Sequence, residues 1–139
     1  MASWFTPEAK QAHLKGLILA TDTYKLALYA GAVPVVGTGV MPAYTVTNEI
    51  SGAGYSAGGA VLAGYTVSIQ SGIATLDFTT ATWPASTLSA TYAVLYDDTA
   101  APKYAMGVYD FGGTVTTSGT TFFATMPPSG SATSVLRIQ

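Results

Sequence analysis

The sequence predicts an all-β fold, an antiparallel β-sandwich or flattened barrel of about eight strands with one short N-terminal helix. Beyond residue 22, apolar and polar residues alternate with the period of two that is typical of strands. Turn residues recur roughly every 8 to 15 residues, a spacing that favours a sandwich or barrel. Because no helix-length segments separate the strands, we expect the sheet to be antiparallel.

The predicted helix precedes this alternating pattern. Thr6 is suited to cap it, Pro7 to open it, and Glu8 to lie near its N-terminus. Gly16 is expected to end the helix. A helix this short must pack against something to persist. We therefore divide the chain into an N-terminal arm with the helix, residues 1–20, and a single β-sandwich domain, residues 21–139.

The strands follow in order along the chain. Tyr24, Leu26 and Leu28 share one face of the first predicted strand, and a short strand is expected at residues 44–50. The next two strands form a hairpin around the turn Gln70-Ser71-Gly72. The remaining strands are predicted at residues 90–96, ending at Asp97-Asp98; at 103–111, ending at Gly112-Gly113; at 120–126; and at 134–138.

Charge is scarce in this chain. Charged residues make up 9% of the sequence, compared with about 25% in an ordinary soluble domain, and apolar residues reach 49%. A monomer with so few charges has little electrostatic repulsion to prevent self-association. The low charge therefore indicates a protein that packs against copies of itself or against a partner. The five basic residues form no cluster, so we expect no nucleic-acid partner. Proline and glycine interrupt the long uncharged stretches, so we expect no membrane-spanning helix.

Residues 49–60, EISGAGYSAGGA, are called the glycine loop below, and they match two catalytic motifs. Gly52 to Ala57 fits the dinucleotide-binding pattern G-x-G-x-x-G/A, with Asp77 at the distance of a ribose-binding acid. That pattern requires a helix directly after the loop, whereas an alternating, strand-like segment follows. We expect Asp77 on the solvent-facing side of its strand. The match therefore predicts no cofactor.

The second motif is the nucleophile pattern G-x-S-x-G, which places Ser56 between Gly54 and Gly58. A serine nucleophile needs a general base, and the single histidine of the chain, His13, lies in the predicted helix. We therefore predict no catalytic residue and no enzymatic activity. The predicted role of the loop is structural: Gly52, Gly54, Gly58 and Gly59 allow a sharp turn, and Tyr55 holds the loop against the domain.

Aspartates offer the remaining candidate for a bound ion. Asp97 and Asp98 are adjacent in sequence and therefore tend to point apart, and Asp110 would have to approach from the next strand. Turn formation is the favoured role for Asp97-Asp98, with a weakly held calcium ion as the alternative. The sequence predicts no firm metal site.

Several segments of the chain carry a resemblance to a known family. They are TYKLALY (23–29), TNEISGAGYSAGGAVLAGYTV (47–67), Thr82-Trp83, ATYAVLYDD (90–98) and YDFGG (109–113). In this order they resemble small virion proteins of tailed bacteriophages and prophages. Relatives often carry an arginine where this chain has Thr91. The resemblance implies a structural component of the virion without enzymatic activity.

The resemblance and the low charge together lead to an expected function. We expect a capsid decoration or cement protein that is assembled into the virion in the host bacterial cytoplasm. Its expected partners are the major capsid protein and copies of itself, through a candidate interface of Trp4, Phe5, His13 and Leu14. The alternative is a head–tail, tail or fibre component that binds a carbohydrate or receptor through exposed aromatic rings.

Overall fold

The computed structural model of the protein describes residues 2–5, 7–31, 42–126 and 136–138; for the first and last of these segments it describes the backbone. Within these ranges one helix and a series of strands follow one another. They are β1 (Ala2–Phe5), α1 (Pro7–Leu14), β2 (Tyr24–Tyr29), β3 (Ala60–Val61), β4 (Thr66–Gln70), β5 (Ile73–Asp77), β6 (Ala81–Ser86), β7 (Ser89–Asp97), β8 (Ala105–Thr116), β9 (Thr120–Ala124) and β10 (Leu136–Ile138).

The strands form three antiparallel sheets. The largest has the order β1-β8-β7-β2-β3, the second β10-β5-β4, and the third pairs β6 with β9. Each of these pairings is antiparallel. The predicted all-β class with one short helix is therefore confirmed.

The main hydrophobic core joins all three sheets and the helix. Its members include Ala9 of α1, Leu28 of β2, Leu76 of β5, and Trp83 and Phe122 of the β6–β9 pair. A second cluster lies on the other face of the five-stranded sheet; it contains Ala27, Tyr29, Val94, Tyr96, Ala105 and Val108. Both faces of β2 and β7 are covered, so side chains on either face of these strands are buried. This explains why their sequences are nearly continuous runs of apolar residues.

The helix ends where the sequence predicts. Gly16 has a φ of 71°, and its N–H donates to the carbonyl of His13. The N–H of Leu17 donates to the carbonyl of Ala12, which completes the left-handed glycine cap of a helix C-terminus. Thr6, the predicted N-terminal cap, lies outside the described residues. Among the described residues, no helix is long and apolar enough to cross a membrane.

The predicted β4–β5 hairpin is also confirmed. Ile69 pairs with Ala74, and Gln70 pairs with Ile73, leaving Ser71 and Gly72 as a two-residue turn. Both turn residues have positive φ values, 50° and 78°. This is the backbone form that matches the twist of two adjacent antiparallel strands.

Two predictions about strands are wrong: one predicted strand does not form, and another ends later than predicted. Residues 44–50 form no strand: isolated bridges from Ala43 to Tyr104 and from Glu49 to Tyr29 flank a turn at residues 47–48. The strand predicted to stop at Gly112-Gly113 instead continues to Thr116 as β8. The two glycines adopt positive φ in a bulge where the β7–β8 register shifts, so they bend the strand without ending it.

The first residues of the chain belong to the main sheet. In β1, Trp4 lies opposite Val108 and Phe5 opposite Gly107 of β8. The division of the chain after residue 20 stays a prediction. An arm that left the domain would have to separate β1 from β8.

Candidate functional site: the glycine loop

The glycine loop connects the five-stranded sheet to the β6–β9 pair. At its start, Ile50 donates its N–H to the carbonyl of Leu28 in β2. In its middle, Ala53 forms a bridge with Thr87, next to the end of β6. Beyond the loop, Leu62 donates its N–H to the carbonyl of Tyr24. The loop thus leaves β2, reaches β6 and returns to the opposite end of β2.

The loop glycines lie at points of close approach. A Cβ atom on Gly59 would lie 1.9 Å from the carbonyl oxygen of Leu26, and one on Gly52 would lie 2.5 Å from that of Thr87. A Cβ on Gly54 would lie 2.9 Å from the Cα of Ser86. Gly54, Gly58 and Gly59 also have positive φ values, between 78° and 93°. The loop backbone packs where a larger residue has no room.

The carboxylate of Glu49 binds this loop from within. It accepts hydrogen bonds from the Tyr44 hydroxyl at 2.5 Å, the Tyr55 hydroxyl at 2.6 Å and the Gly58 N–H at 2.6 Å. The Tyr55 oxygen also accepts the N–H of Leu28 at 3.0 Å. The Glu49 carboxylate, at the start of the loop, therefore binds the middle and the end of the loop and the segment before it, and Tyr55 links these contacts to β2.

Aromatic rings surround this carboxylate. Tyr44 stacks on Tyr96 with ring centroids 4.3 Å apart, and the Tyr96 hydroxyl donates to the Gly58 carbonyl at 2.7 Å. On the other side, Tyr55 stacks on Trp83 at 6.2 Å. These rings connect the loop to both core clusters.

The tyrosine hydroxyls are held in their neutral, donating form. Burial raises the pKa of Tyr55 and of Tyr44 well above the ordinary range, and hydrogen bonding to the Glu49 carboxylate raises both further. Burial, followed by the charge of Glu49, raises the pKa of Tyr29 to about 12. Near neutral pH these groups donate hydrogen bonds and do not act as bases.

This geometry favours a mechanical role for the loop over a chemical one. The Glu49 carboxylate already accepts three hydrogen bonds, and Ser56 is an exposed turn residue whose carbonyl accepts the N–H of Gly59. The segment after the loop forms strands β3 and β4, so no helix follows that could hold a pyrophosphate. Among the described contacts, none joins Ser56 to His13.

Comparison with known proteins leaves the assignment open. No family model, curated protein or solved structure matches this chain. The resemblance to phage virion proteins therefore stays an expectation from the sequence segments alone.

Glu49 is the residue of this site that sequence reasoning missed. Tyr55 was predicted to hold the loop, and its ring and hydroxyl contact Trp83, Glu49 and Leu28. One sequence signal points to Glu49: it is the single charged residue between Leu26 and Leu76. A lone charge in so long an uncharged stretch is expected to be paired or hydrogen-bonded once the chain folds.

The candidate interface residues fall at two places. Trp4 and Phe5 belong to β1, of which the structure describes the backbone. His13 is half-buried in α1, and Leu14, at the end of the helix, is 77% exposed. Leu17 and Leu19 are also exposed, each at 48%. The helix end and the turn after it therefore present apolar side chains to solvent.

The expectation of a solvent-facing Asp77 is wrong. Its strand, β5, is the central strand of its sheet, and Asp77 is buried beside Tyr109. Neither carboxylate oxygen has a hydrogen-bond partner among the described residues. The alternating pattern implied one solvent-facing side, but the fold covers both faces of this strand.

The aspartates considered for calcium do not converge. Asp98 binds Lys25 and Lys103, and Asp110 accepts the N–H of Gly112. Asp97 accepts the N–H groups of the two residues that follow Asp98, an arrangement typical of a turn. Within the described ranges, no group of three or more histidine, cysteine or acidic side chains is placed to hold a metal ion.

Proposed function

We propose that this protein is a non-enzymatic structural protein of a bacteriophage particle, and specifically a capsid decoration or cement protein that acts by adhesion between subunits. The observation that carries the proposal is the apolar character of its surface. Only 9% of the residues are charged, and several large apolar side chains among the described residues are exposed to solvent. They are Leu14, Leu17, Leu19, Val46, Val61, Val67, Ile69, Val115 and Phe123.

Three of these side chains lie within six residues of one another. Leu14, Leu17 and Leu19 are exposed, whereas Ile18 between them is buried in the main core. We call residues 14–19 the apolar turn. Ile18 fixes the turn to the domain, so the exposed leucines are presented on an anchored backbone. A preordered apolar surface loses little conformational entropy when it docks.

Adhesion follows from burying such a surface against a neighbour. Each square ångström of apolar surface removed from water contributes about 25 cal/mol, and an array of subunits repeats that gain across many contacts. The partners in this proposal are the major capsid protein and copies of the chain itself. The Glu49 hydrogen bonds would contribute indirectly, by keeping the domain rigid while its surface binds.

The carbohydrate- or receptor-binding alternative gains no support from the described aromatic rings. Sugar-binding faces use exposed, flat rings, most often of tyrosine or tryptophan. The described tyrosines and Trp83 are buried or half-buried, and many of them are stacked or hydrogen-bonded. Phe123 alone among the described aromatic side chains is mostly exposed.

The proposal is tested by measuring how much of the protein is present in purified particles. Leu14→Ser/Leu17→Ser should reduce its copy number in the particle by more than about tenfold, the effect of losing ~1.4 kcal/mol of binding free energy. A matched control, Val46→Ser/Val115→Ser, removes two exposed apolar side chains elsewhere and should leave the occupancy unchanged. Both variants should retain the wild-type unfolding midpoint.

Two results would contradict the proposal at different levels. If the wild-type protein is missing from gradient-purified particles of the phage that encodes it, the virion assignment is wrong. If both double variants occupy the particle as the wild type does, the protein does not bind through the apolar turn.

A further inference from the structure

Strand β4 pairs on one side only among the described strands. It is the last strand in the order β10-β5-β4, and its five residues pair with β5. The backbone hydrogen bonds described outside the strand pairings include none from Val67 or Ile69. The side chains of these two residues are 56% and 75% exposed. The other side of β4 is therefore open to a further strand.

The β4–β5 turn determines which backbone groups point to the open side. In a two-residue turn the residue before the turn accepts the N–H of the residue after it, so the Gln70 carbonyl faces β5. Along an antiparallel pair, hydrogen-bonded and non-hydrogen-bonded residues alternate. Ser68 therefore also faces β5 with its backbone, and its carbonyl accepts the Thr75 hydroxyl at 3.4 Å. The N–H and carbonyl groups of Val67 and Ile69 point away from β5, to the open side.

This open side is complementary to itself. When a second copy of β4 runs antiparallel with Ser68 opposite Ser68, Val67 of each copy lies opposite Ile69 of the other. The outward-pointing groups then meet, and each Val67–Ile69 pair exchanges both of its backbone N–H···O=C hydrogen bonds. A two-fold axis perpendicular to the sheet relates the copies, so the valine and isoleucine side chains stay together on one face. Backbone and side chains are satisfied by the same register.

The composition of the strand favours a second copy over a partner of different chemistry. Like charges placed directly opposite each other destabilise a strand pair, and a charge on an edge strand opposes pairing with another chain. Strand β4, TVSIQ, carries no charge and no proline. The sequence around it is uncharged from Ile50 to Leu76. A two-fold contact therefore brings no charge opposite its own copy, and an acidic or basic partner finds no opposite charge on this strand.

We propose that two copies of this chain associate through their β4 strands, in an antiparallel pair centred on Ser68. The two three-stranded sheets join into one sheet of the order β10-β5-β4-β4-β5-β10. The contact is isologous, so it uses both open edges and stops at a dimer. Five residues are far fewer than the roughly 20–30 per partner of a stable interface, so this dimer is weak and forms at high protein concentration. The inference does not depend on the virion assignment.

Disulfide cross-linking of the full-length protein tests the centre of this pair, because the native chain has no cysteine. The Cα atoms of a non-hydrogen-bonded antiparallel pair lie about 4.5 Å apart, within the range that a disulfide spans. Ser68→Cys should therefore form covalent dimers under mild oxidation at high protein concentration. Val46→Cys, at a 69% exposed position outside the strands, is the control and should stay monomeric.

A mixing experiment tests the register, at exposed positions where the substitution leaves the monomer folded. Val67→Cys and Ile69→Cys lie opposite each other only in different copies, with Cα atoms about 5.5 Å apart. Two copies of the same variant place their cysteines roughly 8 Å apart, beyond the reach of a disulfide. An equal mixture of the two variants should therefore yield severalfold more covalent dimer than either variant alone.

Two results would overturn the proposal. One is Ser68→Cys cross-linking no more than Val46→Cys, which would show that the β4 strands do not meet. The other is Val67→Cys or Ile69→Cys alone cross-linking as well as the mixture, which would show that the copies meet in another register or through another surface. Neither result bears on the virion assignment, which the protein content of purified particles tests.

Discussion

Gly59 shows how closely the glycine loop packs on the sheet. Its backbone lies against β2, and the nearest atoms to an added Cβ would be the carbonyl oxygen and carbon of Leu26, at 1.9 Å and 2.5 Å. These are backbone atoms of a central strand and cannot move aside as a flexible side chain would. A side chain at position 59 therefore has no room unless the loop or β2 shifts.

Gly59→Ala should destabilise the protein far more than Gly72→Ala. Both glycines have a φ of 78°, so both substitutions carry the same backbone cost, roughly 1–2 kcal/mol. Gly72 has no atom within 4 Å of an added Cβ, whereas alanine at position 59 overlaps β2 and adds about 1–3 kcal/mol. Urea unfolding of both variants measures the difference. Equal losses of stability would show that the loop does not pack on β2 as described.

At the scale of single elements, β4 is an edge strand among the described strands and carries exposed apolar side chains. It lies at one end of the order β10-β5-β4 and carries neither charge nor proline. Val67 pairs with Leu76 and therefore lies on the same face, yet Leu76 is buried and Val67 is 56% exposed. The apolar face thus extends one strand beyond the layer that covers it. Natural edge strands usually carry a charge or proline that prevents pairing with another chain.

Ile69→Lys should reduce self-association without a loss of stability. Ile69 is 75% exposed, and surface substitutions at such positions usually change stability by less than about 0.5 kcal/mol. A lysine on the edge opposes pairing with another copy. Sedimentation velocity over a range of concentrations should show a smaller increase in apparent mass than for the wild type. Val46→Lys, at an exposed position outside the strands, should behave as the wild type; an equal reduction there would point to net charge alone.

The elements that sequence predicted are those with strong local signals. The sequence predicts the β4–β5 hairpin because the turn Gln70-Ser71-Gly72 separates two strand-like segments. It predicts β7 because its aromatic and branched residues fall at every second position and Asp97-Asp98 follow as turn residues. Strand β6 is not predicted because Pro84 interrupts its sequence pattern, and proline within a segment argues against a strand. Strand β1 is four residues long, and its pairing with β8 depends on a contact distant in sequence.

In the candidate site, too, the sequence predicts the features that depend on neighbouring residues and misses those that depend on contacts between distant residues. Local signals placed the glycines and Tyr55 in one loop. The contacts of Glu49 with Tyr44 and Gly58 depend on how distant segments of the chain come together in the fold. Such tertiary contacts leave no periodic trace in a single sequence. A lone charge in an apolar stretch, as at Glu49, is the one indication that sequence offers.

At the scale of the whole molecule, the fold depends on many buried or half-buried tyrosines staying neutral. Burial is the main cause of a raised pKa in each of them: Tyr24, Tyr29, Tyr44, Tyr55, Tyr65, Tyr96 and Tyr109. They are spread over both core clusters and the glycine loop. Ionisation of these hydroxyls would place charges throughout the interior.

The free energy of unfolding should therefore fall steeply above pH 10. An unfolded tyrosine loses its proton near pH 10, whereas Tyr29 in the folded protein does so at about pH 12. The folded state thus binds these protons more tightly, so their stabilising contribution is complete below pH 10 and is lost as the pH rises through the folded pKa values. Urea midpoints from pH 8 to 12, recorded with tyrosinate absorbance, measure this loss. Tyr29→Phe should make the decline shallower, because phenylalanine has no proton to lose. If the tyrosines ionised near pH 10 while the protein stayed folded, the interior would be far more accessible to water than the packing around Glu49 indicates.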